Sequence, residues 1–111
     1  MKRQSPAAIW HADCAERDNF ECKALHHDER CKGGYQVIHH VVYRSHLVDE
    51  AKWLTENGIS LSEHCHDLAH KTHNATLPQA RLTAAVDAVN AVQGKMPGQR
   101  VPYFYRKGIA S

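Results

Sequence analysis

The chain has 111 residues, 42% of them hydrophobic and 23% charged, with a formal net charge of +2 when its histidines are neutral. That size predicts one small domain with a modest core, for which a metal clip or a partner would be a useful extra source of stability. No apolar run reaches the ~18 residues that would read as a membrane-spanning helix. The basic N-terminus lacks the apolar stretch of a secretory signal, so a cytoplasmic chain is expected. In that compartment the four cysteines read as thiols or metal ligands before disulfides.

Taken in order, Ser5 and Pro6 predict a helix start, with Ser5 as cap and Pro6 in the first turn. This helix would run to about Arg17 and carry Trp10 and Cys14 on one face. Asp18-Asn19 breaks it, and the polar stretch from Lys23 to Gly34 reads as a loop. Tyr35, Val37, Ile38, Val41, Val42 and Tyr43 are β-formers and predict a first strand passing through or ending near His39-His40. Ser45 can cap a short helix with Leu47, Ala51 and Leu54 on its apolar face and Trp53 beside it. Asn57-Gly58 ends that helix or forms a turn. Ile59 to Leu61 reads as a second strand, and Ser62 caps a helix from Glu63 to about His73. Thr76 and Gln79 fit a capping box for a last helix over about 77–93. Its apolar residues Leu82, Ala85, Val86, Val89 and Val92 recur at helical spacing, and Gly94 closes it. The tail, 95–111, holds Tyr103, Phe104, Tyr105, Arg106 and Lys107 and reads as an irregular arm that touches nucleic acid or packs back on the core.

The chemistry concentrates in Tyr35 to His73. His66 and His70 lie four apart on a predicted helix, so they share a face and can share a metal ion. Two solvated surface histidines are the plainer alternative. His39 and His40 are neighbours on a predicted strand and point to opposite sides. One can therefore reach a metal while the other approaches a substrate. Asn57 is either an ordinary Asn-Gly turn or a residue that ties the loop between the strands, and both can hold.

The order His39-His40, Asn57, His66, His70 resembles the His-His variant of the HNH nuclease superfamily, the arrangement found in colicin-type DNases. The resemblance covers about 17–74 and includes the stretch RDNFEC at 17–22. It implies an α+β fold with a ββα-metal (His-Me finger) core and flanking helices in a single nuclease domain. Carried over residue by residue, it implies His39, His66 and His70 as ligands of the catalytic ion. His40 would be the general base and Asn57 the residue fixing the loop, with His73 assisting one turn along the same helical face. The ion would be Zn, Ni, Mn or Mg, and an all-imidazole set favours Zn, Ni, Mn or Co over Mg. Many relatives also carry two cysteine pairs holding a structural zinc. Here Ser62 stands where one thiolate is expected, leaving Cys22, Cys31 and Cys65, with His26, His27 or His64 as the fourth ligand. A Cys3His zinc site is chemically acceptable; the alternative makes Cys14 and Cys65 core residues and the others loop thiols.

The implied reaction is hydrolysis of a DNA phosphodiester to a 5′-phosphate and a 3′-hydroxyl, nicking or weakly specific. Arg44 and Lys71 are the expected DNA contacts, with Arg81 and Lys32 as further candidates for phosphate. The resemblance fits a small phage-type nuclease acting in the host cytoplasm, either alone, as a homodimer, or as a toxin-like domain held by an inhibitor protein. The competing class is a non-catalytic, metal-stabilised nucleic-acid-binding module.

Overall fold

The computed structural model describes residues 4–94. The expected C-terminal arm lies outside them. Among the described residues the chain is an α+β domain of three α-helices and one two-stranded antiparallel sheet. No helix there is long and apolar enough to cross a membrane.

Helix α1 spans Pro6–Arg17. Ser5 Oγ accepts the Ala8 N–H at 3.2 Å and Pro6 occupies the first turn, as the sequence predicted. Its inner face buries Trp10, Cys14 and Ala15. Asn19 and Phe20 then adopt left-handed backbone angles, φ 55° and 58°, and turn the chain back along the sheet. Strand β1 is Val37–His40 and β2 is Gly58–Leu61, with His39 opposite Ile59 and His40 opposite Gly58. Helix α2 is Glu63–Lys71, capped by Ser62 Oγ on the Cys65 N–H at 3.2 Å. Helix α3 is Gln79–Gln93. One apolar cluster joins Val41, Ile59, Leu61, Cys65, Ala69 and Ala85; a second joins Val42, Ala51, Val86 and Val89. Helix α3 thus feeds both.

Four sequence expectations need correcting. The first strand ends at His40, within the expected range, but Val41, Val42 and Tyr43, counted among its β-formers, fall outside it. Val41 N–H bonds to the Asn57 carbonyl and Val42 N–H to the Asn57 side chain, at 3.0 and 2.8 Å, so the chain bends away after two valines of high strand propensity. The predicted Ser45 helix is instead three short 3-10 turns, Arg44–His46, Asp49–Ala51 and Thr55–Asn57. The carbonyls an α-helix would use internally are taken by tertiary donors. Gln93 Nε2 bonds to His46 O at 3.0 Å, His40 Nε2 to Lys52 O at 3.1 Å and Trp10 Nε1 to Leu54 O at 2.9 Å. Helix α2 stops two residues before His73, because His73 and Asn74 are both left-handed, φ 50° and 69°. Helix α3 starts at Gln79, and the capping box does not form: Thr76 Oγ1 is buried without a hydrogen-bond partner among the described residues. Pro78 disfavours helical backbone at Leu77 and sets the later start.

A buried carboxylate anchors α1 and α3 to the sheet. Asp18, 0% exposed, takes Arg17 Nη2 at 2.9 Å, the Ser60 N–H at 3.0 Å and the Arg81 guanidinium. Burial alone would raise its pKa, but the hydrogen bonds from Arg17, Arg81 and Ser60 outweigh that and hold the carboxyl well below its usual range. Gly58 is a second point of close approach. A Cβ there would meet Cys14 Sγ at 2.5 Å and Trp10 Cζ2 at 2.8 Å. Gly58 is the cross-strand partner of His40, and Trp10 stacks on the His40 ring. Its missing side chain is what lets α1 sit over both. Gly58→Ala is therefore expected to cost about 2 kcal/mol by overpacking, read as a lower urea midpoint; an unchanged midpoint would mean that α1 is not held against β2 as described.

Candidate functional site

His39 and His40 are adjacent on β1, and their environments differ as the strand geometry requires. His39 is 1% exposed and lies under α2. Its ring centre is 5.1 Å from that of His66 and 4.9 Å from that of His70. The Nε2 atoms of His66 and His70 are 3.1 Å apart, and one nitrogen from each of the three rings lies within 4.8 Å of the others. Metal–nitrogen bonds of ~2 Å place ligand nitrogens ~3–4 Å apart, so small side-chain rotations would close these rings on an ion. His40 stacks on Trp10 with ring centres 4.3 Å apart, and Trp53 lies beside it at 5.9 Å. His39, His40, Tyr43, Arg44, His66 and His70 line one open cleft of about 270 Å³.

Two asparagine amides brace this cleft. Asn57, fully buried, accepts from Val42 N–H at 2.8 Å and donates Nδ2 to Val42 O at 3.1 Å. It therefore clamps the loop that leaves His40. Asn74, 3% exposed, donates Nδ2 to Val41 O at 2.8 Å while its Oδ1 lies 2.8 Å from His39 Nε2. Asn74 was missed in the sequence. The available signal was an Asn just past a helix ending in His70-Lys71, where a left-handed residue commonly sits. Trp10 was placed there only on one face of the first helix, with Cys14.

A hydrogen bond assigns the His40 tautomer. A carbonyl can only accept, so His40 carries its proton on Nε2, facing Lys52 O. Burial lowers the His40 pKa, against the favourable Lys52 carbonyl, and Arg44 lowers it further. His39 is pushed down to about 4, first by burial, then by His66, His70 and His40, against a bond to Asn74 that raises it. Burial and His70 also lower His66. These imidazoles are therefore neutral at pH 7, the form that binds metal or accepts a proton.

A second donor cluster lies at the other side of α2. Cys22, His27, Cys31 and Cys65 place their ligand atoms within 4.8 Å of one another and can hold a metal ion. His27 Nδ1 is 3.1 Å from Cys31 Sγ and 3.9 Å from Cys65 Sγ. Ser62, at the position of the expected thiolate, donates its hydroxyl to Cys31 Sγ at 3.4 Å. Burial would raise the Cys31 pKa, but bonds from Ser62, the Gly33 backbone, His27 and Cys65 bring it down to about 6. Burial pushes Cys65 up to about 12. Of the three histidines considered for this cluster, His27 is the one within it, and His64 is paired with Asp28 at 2.7 Å. Cys14 belongs to neither cluster; its thiol, on the inner face of α1, is buried and donates to the Thr55 carbonyl.

The basic candidates separate. Arg44 lines the cleft, its guanidinium 5.4 Å from the Trp53 ring centre. Lys71 is exposed at the end of α2, outside the cleft lining. Arg81 is committed to Asp18 and is not available to a phosphate. Lys32 is exposed on the cysteine-bearing loop. His73, expected one turn along the His66–His70 face, lies beyond the helix end at a left-handed backbone angle. Comparison with known protein families, curated proteins and solved structures gives no match.

The pH dependence of the metal-free protein follows from His39. Above its ordinary value of 6.5 the ring is neutral in both folded and unfolded chains. As pH falls, the unfolded chain takes up the proton first, while the folded chain resists until about 4. Stability in chelator should thus fall between pH 6.5 and about 4, by on the order of 3 kcal/mol from this group. His40 and His66 add in the same direction, and Asp18 does so only below its ordinary 3.8. Urea unfolding across that range checks this; a flat profile would contradict a buried neutral His39.

Proposed function

We propose that the chain is a metal-dependent DNA endonuclease with a ββα-metal core of the HNH type, built from β1, the 41–57 loop, β2 and α2. The observation that carries this reading is the convergence of His39, His66 and His70 in a cleft that His40 also lines. The three imidazoles would hold a divalent ion such as Zn, Ni or Mn. When bound, that ion would supply Lewis acidity at a scissile phosphate. With its Nε2 proton held by the Lys52 carbonyl, His40 keeps Nδ1 as the basic nitrogen, suited to take a proton from an attacking water. Trp10 on its face and Asn57 on its loop limit how far that ring can move. Arg44, in the cleft wall, is suited to a backbone phosphate. With one basic side chain in the cleft wall and a net charge of +2, salt-sensitive and weakly sequence-specific nicking is the expected behaviour.

The cysteine cluster is proposed as a structural zinc site, with His27 as the fourth ligand in place of the thiolate that Ser62 does not supply. Three thiol sulfurs and one imidazole nitrogen are a donor set that zinc accepts in tetrahedral geometry. Zinc there would tie the 22–31 loop to the start of α2 and add folding energy to a small core.

Supercoiled plasmid incubated with Mn, Ni, Zn or Mg should be nicked, and chelator should stop it. His40→Ala should lower the nicking rate by about 10²–10⁴-fold with metal uptake unchanged, whereas His66→Ala should lose both. Nicking by His40→Ala at the wild-type rate would remove the base assignment. DNA binding without nicking under every metal would favour the non-catalytic module. For the structural site, purified protein should hold zinc that Cys31→Ala loses and His66→Ala keeps, and the loss should lower Tm. Zinc content unaffected by Cys31→Ala would exclude the thiolate site.

A further inference from the structure

We propose that Asn74 is a positioning residue of the His39/His66/His70 centre, selecting the tautomer in which His39 offers Nδ1 to the ion; this rests on the metal-centre reading above. Asn74 Nδ2 donates to the Val41 carbonyl at 2.8 Å. An amide turned the other way would set carbonyl against carbonyl, so its orientation is fixed. Oδ1 therefore faces His39 Nε2, at 2.8 Å. An amide oxygen can only accept, so Nε2 must carry the proton. The one lone pair left on the buried ring is then on Nδ1.

Backbone geometry makes this lock specific. Asn74 has φ 69°, a left-handed angle that Asn adopts more readily than most residues. Its own N–H bonds back to the Ala69 carbonyl at 2.7 Å and closes the end of α2. That helix carries His66 and His70. One residue thus joins the end of the helix bearing two of the rings to the strand end bearing the third. Outer hydrogen-bond partners of this kind fix the orientation and basicity of a ligating imidazole.

The test compares wild type with Asn74→Gly, which keeps the left-handed backbone and loses the amide. Ring nitrogen NMR of the metal-free protein reads the His39 tautomer. Titration with Ni²⁺, followed at the His66 and His70 ring resonances, reads affinity at this centre alone. Wild type should show the Nε2–H tautomer. Asn74→Gly should lose that preference and bind Ni²⁺ about 10–100-fold more weakly. A wild-type His39 protonated on Nδ1 overturns the proposal. So does an Asn74→Gly protein that keeps both the tautomer and the affinity while wild type binds Ni²⁺. If the wild-type His66 and His70 resonances ignore Ni²⁺, the metal-centre reading itself falls and takes this proposal with it.

Discussion

Two strands of four residues cannot hold the 41–57 loop in place by their own ladder. The backbone just past β1 is held by two buried side-chain amides. Asn57 takes both the N–H and the C=O of Val42, and Asn74 takes the C=O of Val41. Each buried amide stands in for a strand that is not there. The arrangement costs little because every one of these contacts ends on a satisfied partner, and a buried polar group is expensive only when left unpaired. His39 and His40, immediately before the bend, inherit the precision of this clamp.

The same logic extends outward. Gln93, also buried, accepts from Val48 N–H at 3.0 Å and donates to the His46 carbonyl, so α3 holds the far side of the loop. Asp18 joins the end of α1 to β2 and α3 through Ser60 and two guanidinium groups. Breaking such a buried pair by removing one partner typically costs about 3–5 kcal/mol. The apolar clusters are built mainly from Ala, Val and Cys, so their burial energy is limited. Placement of the site therefore depends on directional polar bonds, which fix orientation in a way that apolar packing does not.

Much of this was legible in the sequence because it follows periodicity and end chemistry. Ser5-Pro6 and Ser62 mark their helices, and the β-formers around His39 and the stretch Ile59-Ser60-Leu61 mark the two strands. A four-residue spacing was enough to put His66 and His70 on one face. The 41–57 segment was not legible, since its helical pattern is real but its carbonyls bond to Trp10, His40 and Gln93, residues up to 47 positions away. Sequence pattern carries no record of such distant donors. Asn57 was visible from its place in the histidine series. Asn74, which does comparable work, sits in a polar run where an Asn needs no explanation. Gly58 read as turn chemistry, but its φ of −110° needs no glycine; what requires it is the room taken by Trp10 and Cys14.

Helix α2 has the last word on how the two donor clusters relate. Cys65 and His66 are consecutive, and successive helical residues point about 100° apart. Cys65 turns toward Cys22, His27 and Cys31, and His66 turns toward His39 and His70. Any shift of α2 along its axis would disturb both clusters at once. The Ser62 hydroxyl stands at this junction, accepting the Cys65 N–H as helix cap and donating to Cys31 Sγ. A cysteine at that position would offer a fourth thiolate but a weaker cap. Serine keeps the helix start well defined, and the fourth member of the donor cluster is His27. The side chain that breaks the expected cysteine pattern is thus the one that fixes the register of the helix carrying the imidazoles.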